Sequence, residues 1–421
     1  MLQRNARNSL INAATSSVAV NLATQYVAIW AVKLGADNLQ LGYLSSWPQA
    51  VSVVSVLVVA GAVARVENKQ RWTAGIFLLG RAASLLLAAT PWLQEQWRVW
   101  WLIFSWVLAV FPNAAATNLL QSFLADVFPG SERARAFASR NVWASAAGTA
   151  TLLLSGWLLD YVLPDPLGYQ LMFAGSFLVG LAEIYAFMRL REPEKPAGEA
   201  ESAGRRERVG FSTYMETLRH KPFLQFLLVS VPFHFTWQMA WPIFTRFQVT
   251  DLGANNTWIS YLTVANSIAA IVTYPWWARW AERFGNRKAV GLAALQIATA
   301  PALVALAANL KILLVINLWT GAGVAGFSLL VLNSLLEVSP SQGRPVYLAV
   351  HAALVSVSAS IAPMVGAWLM DVLPTRTALG LCTIPRLLAG LGFFLMFYLV
   401  ERRKGNGGGS AKSTSPNAAV Q

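Results

Sequence analysis

Cysteine is all but missing from this chain, histidine nearly so, and acidic side chains are scarce: one Cys, three His and 19 Asp plus Glu among 421 residues. The lone thiol, Cys382, excludes an internal disulfide. With no CxxC and no Cys/His cluster, no zinc-type ligand set is present. The GxxxxGK[ST], GxSxG and HExxH patterns are also missing, so ATP hydrolysis and the common hydrolytic chemistries lack their groups. No enzymatic activity, cofactor or metal is expected. Charged residues make up 12% of the chain, against about 25% in soluble globular proteins. What fills the gap is apolar: 56% hydrophobic residues, 18 Trp and 21 Phe, with a mean hydropathy of +0.49. An ordinary soluble fold and a disordered chain are both excluded.

A run of about 20 apolar residues crosses the hydrocarbon layer as a helix. Twelve candidates stand near 10–32, 40–64, 72–93, 97–124, 140–163, 168–189, 223–247, 257–280, 287–308, 311–336, 345–370 and 377–400. Lipid offers backbone polar groups no partner, so each must be helical. Arg4 and Arg7 precede an apolar run that continues past Ala31, too long for a signal-peptide core. Residues 190–222 hold the densest charge and read as a solvated linker. Residues 401–421 begin Glu401-Arg402-Arg403-Lys404, turn to Gly, Ser and Asn, and read as a disordered tail.

The net charge of +13 would suggest nucleic acid in a soluble protein. Its distribution argues otherwise. Of 32 Lys and Arg, 25 fall on the side of the two termini and the linker, five on the other side, and two, Arg81 and Arg386, inside helices. This is the positive-inside pattern, which puts both termini in the cytoplasm and the protein in a cytoplasmic (inner) membrane. Nucleic acid drops out as a partner. Anionic lipid headgroups remain one for the linker and tail.

The two halves repeat each other. Ala125-Asp126-Val127-Phe128-Pro129 becomes Leu336-Glu337-Val338-Ser339-Pro340 at a shift of 211. The same shift carries Arg133 onto Arg344, Trp157 onto Trp368 and Asp160 onto Asp371. Slightly larger shifts carry Asn21 onto His234, Gln25 onto Gln238 and Gln49 onto Asn266. The expected fold is therefore an all-α membrane protein with twelve transmembrane helices in two parallel-repeat six-helix bundles, 1–189 and 223–400. Such repeats place a binding site at their interface.

Between the eighth and ninth segments, Ala278-Arg279-Trp280-Ala281-Glu282-Arg283-Phe284-Gly285-Asn286-Arg287-Lys288 resembles the G-x-x-x-D-R-x-G-R-R loop of the major facilitator superfamily. The first-half copy at 61–71 departs from it, with Arg65 where the acid belongs and Glu67 two positions on. Residues 126–135 resemble the loop after helix 4 in bacterial members. The resemblance implies secondary transport by alternating access. It also implies a cytoplasmic latch in which Glu282, Arg283 and Arg287 take part, with Asp126, Arg65 and Glu67 as first-half counterparts. The other reading of these charges is that they mark the membrane boundary.

By that resemblance the first, second, fourth, fifth, seventh, eighth, tenth and eleventh helices enclose the cargo path. Asn21, Gln25 and Tyr26 lie on the first, Gln49 on the second, and Asn118 on the fourth. His234, Trp237, Gln238 and Trp241 lie on the seventh, Asn266 on the eighth and Asn333 on the tenth. Amides that orient and aromatics that bury would suit a neutral or amphipathic small organic solute. Amides also bridge helices inside bundles, which is the competing reading.

Arg81, Arg386 and Glu183 are intramembrane charges, and each Arg needs an acceptor. The two Arg serve either as anion or gating contacts, or as structural links to neighbouring helices. Proton coupling has one central titratable candidate, His234, which could equally be a cargo contact or a histidine satisfied within the bundle. Leu152 stands where the repeat puts Pro363, against a drug/proton antiporter pattern. The expectation is a monomeric permease or efflux protein. Its rival is a membrane sensor, assembly partner or lipid-handling protein on the same scaffold.

Overall fold

The structure, a computed structural model, describes residues 2–63, 68–128, 130–191, 215–340 and 343–407. The first half contains α1 (Leu2–Lys33), α2 (Asn38–Val63), α3 (Lys69–Ala88), α4 (Glu95–Val127), α5 (Gly130–Tyr161) and α6 (Leu167–Met188). The second contains α7 (Lys221–Met239), α8 (Trp241–Arg246), α9 (Asn256–Phe284), α10 (Asn286–Ala298), α11 (Ala300–Leu306), α12 (Leu310–Val338), α13 (Arg344–Val372) and α14 (Thr375–Gly407). These make twelve passes, because α7 with α8 and α10 with α11 each form one.

The breaks have a common cause. Pro242 opens α8 and Pro301 opens α11, and proline has no N–H to continue the ladder. Helix starts are capped by side chains. The Asp37 carboxylate accepts from the Gln40 N–H at 2.7 Å, and Gln40 Oε1 accepts from the Asp37 N–H at 3.0 Å, a reciprocal capping box. Asn68, Asn255 and Asn309 cap α3, α9 and α12 in the same sense.

Several boundaries differ from the sequence reading. α5 starts ten residues before the expected 140, so Glu132, Arg133 and Arg135 ride on its first turns. α14 runs past 400 to Gly407, because nothing in Glu401-Arg402-Arg403-Lys404 breaks a helix. The expected tail beyond 407 and most of the linker, 192–214, lie outside the described residues.

By length and hydropathy alone, seven passes among the described residues are apolar enough to cross a membrane: α4, α5, α6, α10 with α11, α12, α13 and α14. Twelve such segments were expected. α1 and α9 are dense in Ser, Thr and Asn, and α3 carries Lys69, Arg71 and Arg81 in 20 residues. Polar loading of this kind fits helices that face one another rather than lipid.

Within the first half α1 packs on α5 and α6, and α3 on α4 and α6. Within the second, α9 packs on α12, α10 on α12 and α14, and α7 on α13 and α14. The halves meet through α2 against α13 and α5 against α9, the two pairings that the internal repeat interchanges.

Candidate functional site

The closed contact between the halves lies at the end away from the chain termini. Asp160 ends α5 beside the first turn of α9. Its Oδ1 accepts from the Asn256 backbone N–H (3.1 Å) and from Asn256 Nδ2 (2.8 Å), and its Oδ2 accepts from the Thr257 N–H (2.6 Å). A carboxylate of one half thus caps a helix of the other, where N–H groups lack partners and the dipole is positive. The Tyr169 hydroxyl donates to Asn256 Oδ1 at 2.7 Å. Asp371, the repeat counterpart of Asp160, accepts from Asn38 Nδ2 at 2.8 Å at the start of α2. Glycines allow the close approach. A Cβ on Gly42 would meet that of Ala367 at 2.7 Å, and one on Gly156 would meet the Asn256 carbonyl oxygen at 2.9 Å. The hydrogen bonds between halves found among the described residues all lie at this end or just below it, at Tyr26 and Gln25.

Deeper in, the first half is hollow. A cavity of about 270 Å³ is lined by Ser17, Asn21, Thr117, Gln121, Arg140 and Asn141 among others. A second of about 440 Å³ is lined by Thr24, Ser52, Arg81, Asn113 and Asn118 among others. Ser16, Val20 and Thr117 border both, so the two adjoin. Thr117, Asn118 and Gln121 are exposed in the last third of a membrane-length helix, which favours an aqueous path over lipid at that face.

Charges are buried beside these cavities. Arg81, 4% exposed, donates from Nε (3.0 Å) and Nη2 (2.6 Å) to Oε2 of Glu183, which is fully buried. Gly180 makes room, since a Cβ there would meet Arg81 Cδ at 2.7 Å. Arg140 donates to the Ser9 carbonyl (2.6 Å), Ser9 Oγ (2.7 Å) and Asn12 Oδ1 (3.1 Å). Asn12 Nδ2 in turn donates to the Glu183 carbonyl at 3.1 Å. This network ties α1, α3, α5 and α6 together.

The second half holds a half-open cavity of about 170 Å³, bordered by Trp237, Trp241, Asn266, Asn317, Thr320 and Arg386 among others. Arg386 is fully buried on α14 and donates to last-turn carbonyls of α7. Nε and Nη2 reach Thr236 (3.2 and 2.7 Å), and Nη2 reaches Trp237 (2.9 Å). Nearer the terminal end, His234 Nδ1 lies 2.8 Å from the Ser230 carbonyl, and Ser230 Oγ lies 2.9 Å from His351 Nε2. The two imidazoles are 5.7 Å apart.

The expected cargo residues separate into groups. Asn21 and Asn118 line the first-half cavities, each bonding one turn back to Ser17 and Ala114. Trp237, Trp241 and Asn266 line the second-half cavity. Gln25 and Tyr26 instead join the halves. Gln25 Nε2 donates to Thr263 Oγ1 at 2.9 Å, and the buried Tyr26 hydroxyl meets Ser155 Oγ at 2.7 Å and Ser260 Oγ at 3.3 Å. His234 and Gln238 are buried within the second half, and Gln49 and Asn333 are half-buried on α2 and α12.

The residues of the expected latch are placed as follows in this state. Glu282 and Arg283 are exposed at the end of α9, and the Arg283 guanidinium lies over the Phe284 ring at 5.3 Å. Arg287 faces Glu337 at 3.9 Å. Asn286 Nδ2 donates to Ser334 Oγ at 2.8 Å, so this loop is fastened to α12 of its own half. Asp126 is exposed at the end of α4, where Arg133 Nη2 donates to the Ala125 carbonyl at 2.6 Å. Arg65 and Glu67 lie outside the described residues.

Sequence reasoning missed two features. Asp160 and Asp371 were noted as repeat positions, and their shared place at helix ends beside Asn-rich helix starts was the signal for a junction. Arg81 and Glu183 were noted separately, and their meeting depended on the packing of α3 against α6.

The sequence profile described as Major Facilitator Superfamily matches residues 9–239 and again 226–419. Among curated proteins none matches the chain by sequence. Solved structures do match in fold. One is a bacterial homologue of the human lysosomal transporter Spinster in an inward-facing, unoccupied conformation, with 13% identity and TM-score 0.67 over 94% of this chain and 96% of that one. Another is the nucleoside transporter NupG, with 10% identity and TM-score 0.71 over 93% and 100%. A third is the xylose transporter XylE from E. coli in a partially occluded inward-open conformation, with 12% identity and TM-score 0.64 over 93% and 97%. With two repeats matched along nearly its whole length and twelve helical passes paired as the repeat requires, the chain belongs to the Major Facilitator Superfamily of membrane transporters.

Proposed function

We propose that this protein moves a small organic solute across a cytoplasmic membrane by alternating access, as a monomer with both termini in the cytoplasm. The observation that carries the reading is the asymmetry of closure. Hydrogen bonds between the halves gather at the loop end, while polar cavities lie toward the middle. With the basic, terminal side in the cytoplasm, this arrangement corresponds to a state open inward. Likeness in fold to transporters captured facing inward supports it.

The cargo path follows the polar face of α1, α4 and α5, where Asn21, Asn118, Gln121 and Asn141 offer amide donors and acceptors. Such a wall suits a neutral or amphipathic solute with several hydrogen-bonding groups. His234, Ser230 and His351 form the second half's titratable cluster and are the place to seek proton coupling. Gln25 and Tyr26 serve closure in this state, so they act by setting the balance between states.

The test is solute flux in reconstituted vesicles, using a panel of neutral and amphipathic solutes with and without a pH gradient. Saturable flux abolished in Asn21→Leu/Gln121→Leu supports the reading. Absence of flux for every class, with the protein folded, would favour the sensor or lipid-handling alternative.

A further inference from the structure

We propose that the second-half cavity bordered by Arg386 is a binding site for a small monovalent anion of halide or carboxylate chemistry. Arg386 stands eleven residues into α14, so about 16 Å along the helix at ~1.5 Å per residue. A guanidinium stays charged under all ordinary conditions. Its acceptors here are neutral carbonyls, and among the described residues no carboxylate lies within ion-pair distance of it. The end of a helix supplies only about half an elementary negative charge. One nitrogen, Nη1, is buried without an acceptor.

The cavity provides both room and donors. Its 170 Å³ is several times the ~30 Å³ that a water occupies in the liquid. The Trp237 and Trp241 indoles border it and make no hydrogen bond of their own among the described residues, whereas Asn266 Nδ2 is already taken up by Thr320 Oγ1 and the Asn317 carbonyl, and the Thr320 hydroxyl donates to that same carbonyl. The wall contains no acid, so a cation is repelled. A neutral solute or water would satisfy Nη1 but leave the charge uncompensated, which is costly in a low-dielectric interior.

All the lining residues belong to the second half. Rocking of one half against the other therefore leaves the site intact, although Trp237, Trp241 and Asn266 in its wall are also expected cargo residues. The site holds a resident anion within the helical break between α7 and α8, with Arg386 joining that anion to the carbonyl end of α7.

The experiment uses the purified full chain in lipid nanodiscs with the bulky sulfonate of a HEPES buffer as the sole anion, which belongs to neither ligand class. Chloride or bromide in one arm, and formate or acetate in another, replace the sulfonate at constant ionic strength. Thermal unfolding and intrinsic Trp emission are recorded. A saturable rise in Tm with a saturable change in emission is expected. A response in the halide arm alone identifies an inorganic anion, in the carboxylate arm alone a carboxylate, and in both a general monovalent site. Arg386→Gln should weaken half-saturation by about tenfold or more, the scale of one charge-assisted hydrogen bond. Ala300→Leu fills the cavity while sparing Arg386 and its carbonyls, and should abolish the response. It decides the matter if Arg386→Gln fails to fold. A flat response to every anion, or a wild-type response in Ala300→Leu, overturns the proposal.

Discussion

The two halves share a fold and treat buried charge in opposite ways. In the first, Arg81 meets Glu183 in a two-pronged ion pair between α3 and α6. In the second, α10 and α14 meet through an apolar contact instead, with the Phe394 ring so close to Gly291 that a Cβ there would stand 2.6 Å from it. The second half's buried Arg386 lies elsewhere, on α14, and finds only carbonyl oxygens. The difference shows that a duplicated scaffold preserves helix pairing while its interior chemistry diverges. A compensated pair makes a rigid strut. An uncompensated cation makes a site.

The largest expected effect comes from breaking the strut. Glu183→Gln leaves Arg81 buried without a countercharge and should cost about 3–5 kcal/mol, seen as a lower Tm for the purified protein. Arg81→Met/Glu183→Leu, which removes both charges, should recover most of that loss. If the double variant is as unstable as Glu183→Gln, the pair acts through packing and not charge.

Next comes the junction of the halves, where the comparison is between two related aspartates. Asp160→Asn weakens a carboxylate cap on α9 and should cost about 1–3 kcal/mol of closed-state stability. A cysteine placed at Ser260 in a Cys382→Ser background should then react faster with an impermeant thiol reagent added at the loop end. Asp371→Asn weakens one exposed bond from Asn38 and should shift labelling by about tenfold less. Equal shifts would show that the two aspartates contribute alike.

Steric prying should act in the same direction. Gly156→Leu drives a side chain into α9 at the Asn256 carbonyl and should open the loop end at a cost of about 1–3 kcal/mol. The smallest effect is expected at Glu282→Ala. Its exposed position at the end of α9 predicts a stability change within about 0.5 kcal/mol. A change in labelling of the terminal end without a change in Tm would restore Glu282 to the latch that its motif implies.

The fold was largely legible because twelve helix-length segments, seven of them apolar enough to span by hydropathy alone, a charge asymmetry and matches such as Trp157 with Trp368 are one-dimensional signals. The walls of the polar cavities were legible in part. Asn21 and Asn118 do line cavities, since an amide in a membrane helix turns away from lipid. Gln25 and Tyr26 have the same character but meet the opposite half; Gln25 shares the face of Asn21 and lies one turn, about 6 Å, nearer the loop end, so depth and not helix face separates the two outcomes. The helix breaks were signalled by Pro242 and Pro301, although prolines such as Pro112 and Pro363 lie inside continuous helices.

Taken by itself, the sequence determined that this is a duplicated bundle of membrane helices with its basic side at the termini. Burial of backbone polar groups and repulsion of charge from lipid act on every segment locally. Only the tertiary structure decided which charges are neutralised, which polar residues close the halves and which line a path. Those outcomes depend on which neighbour lies within about 3 Å of a given atom, and residues as distant in the chain as Arg81 and Glu183, or Thr236 and Arg386, become neighbours only when the helices pack.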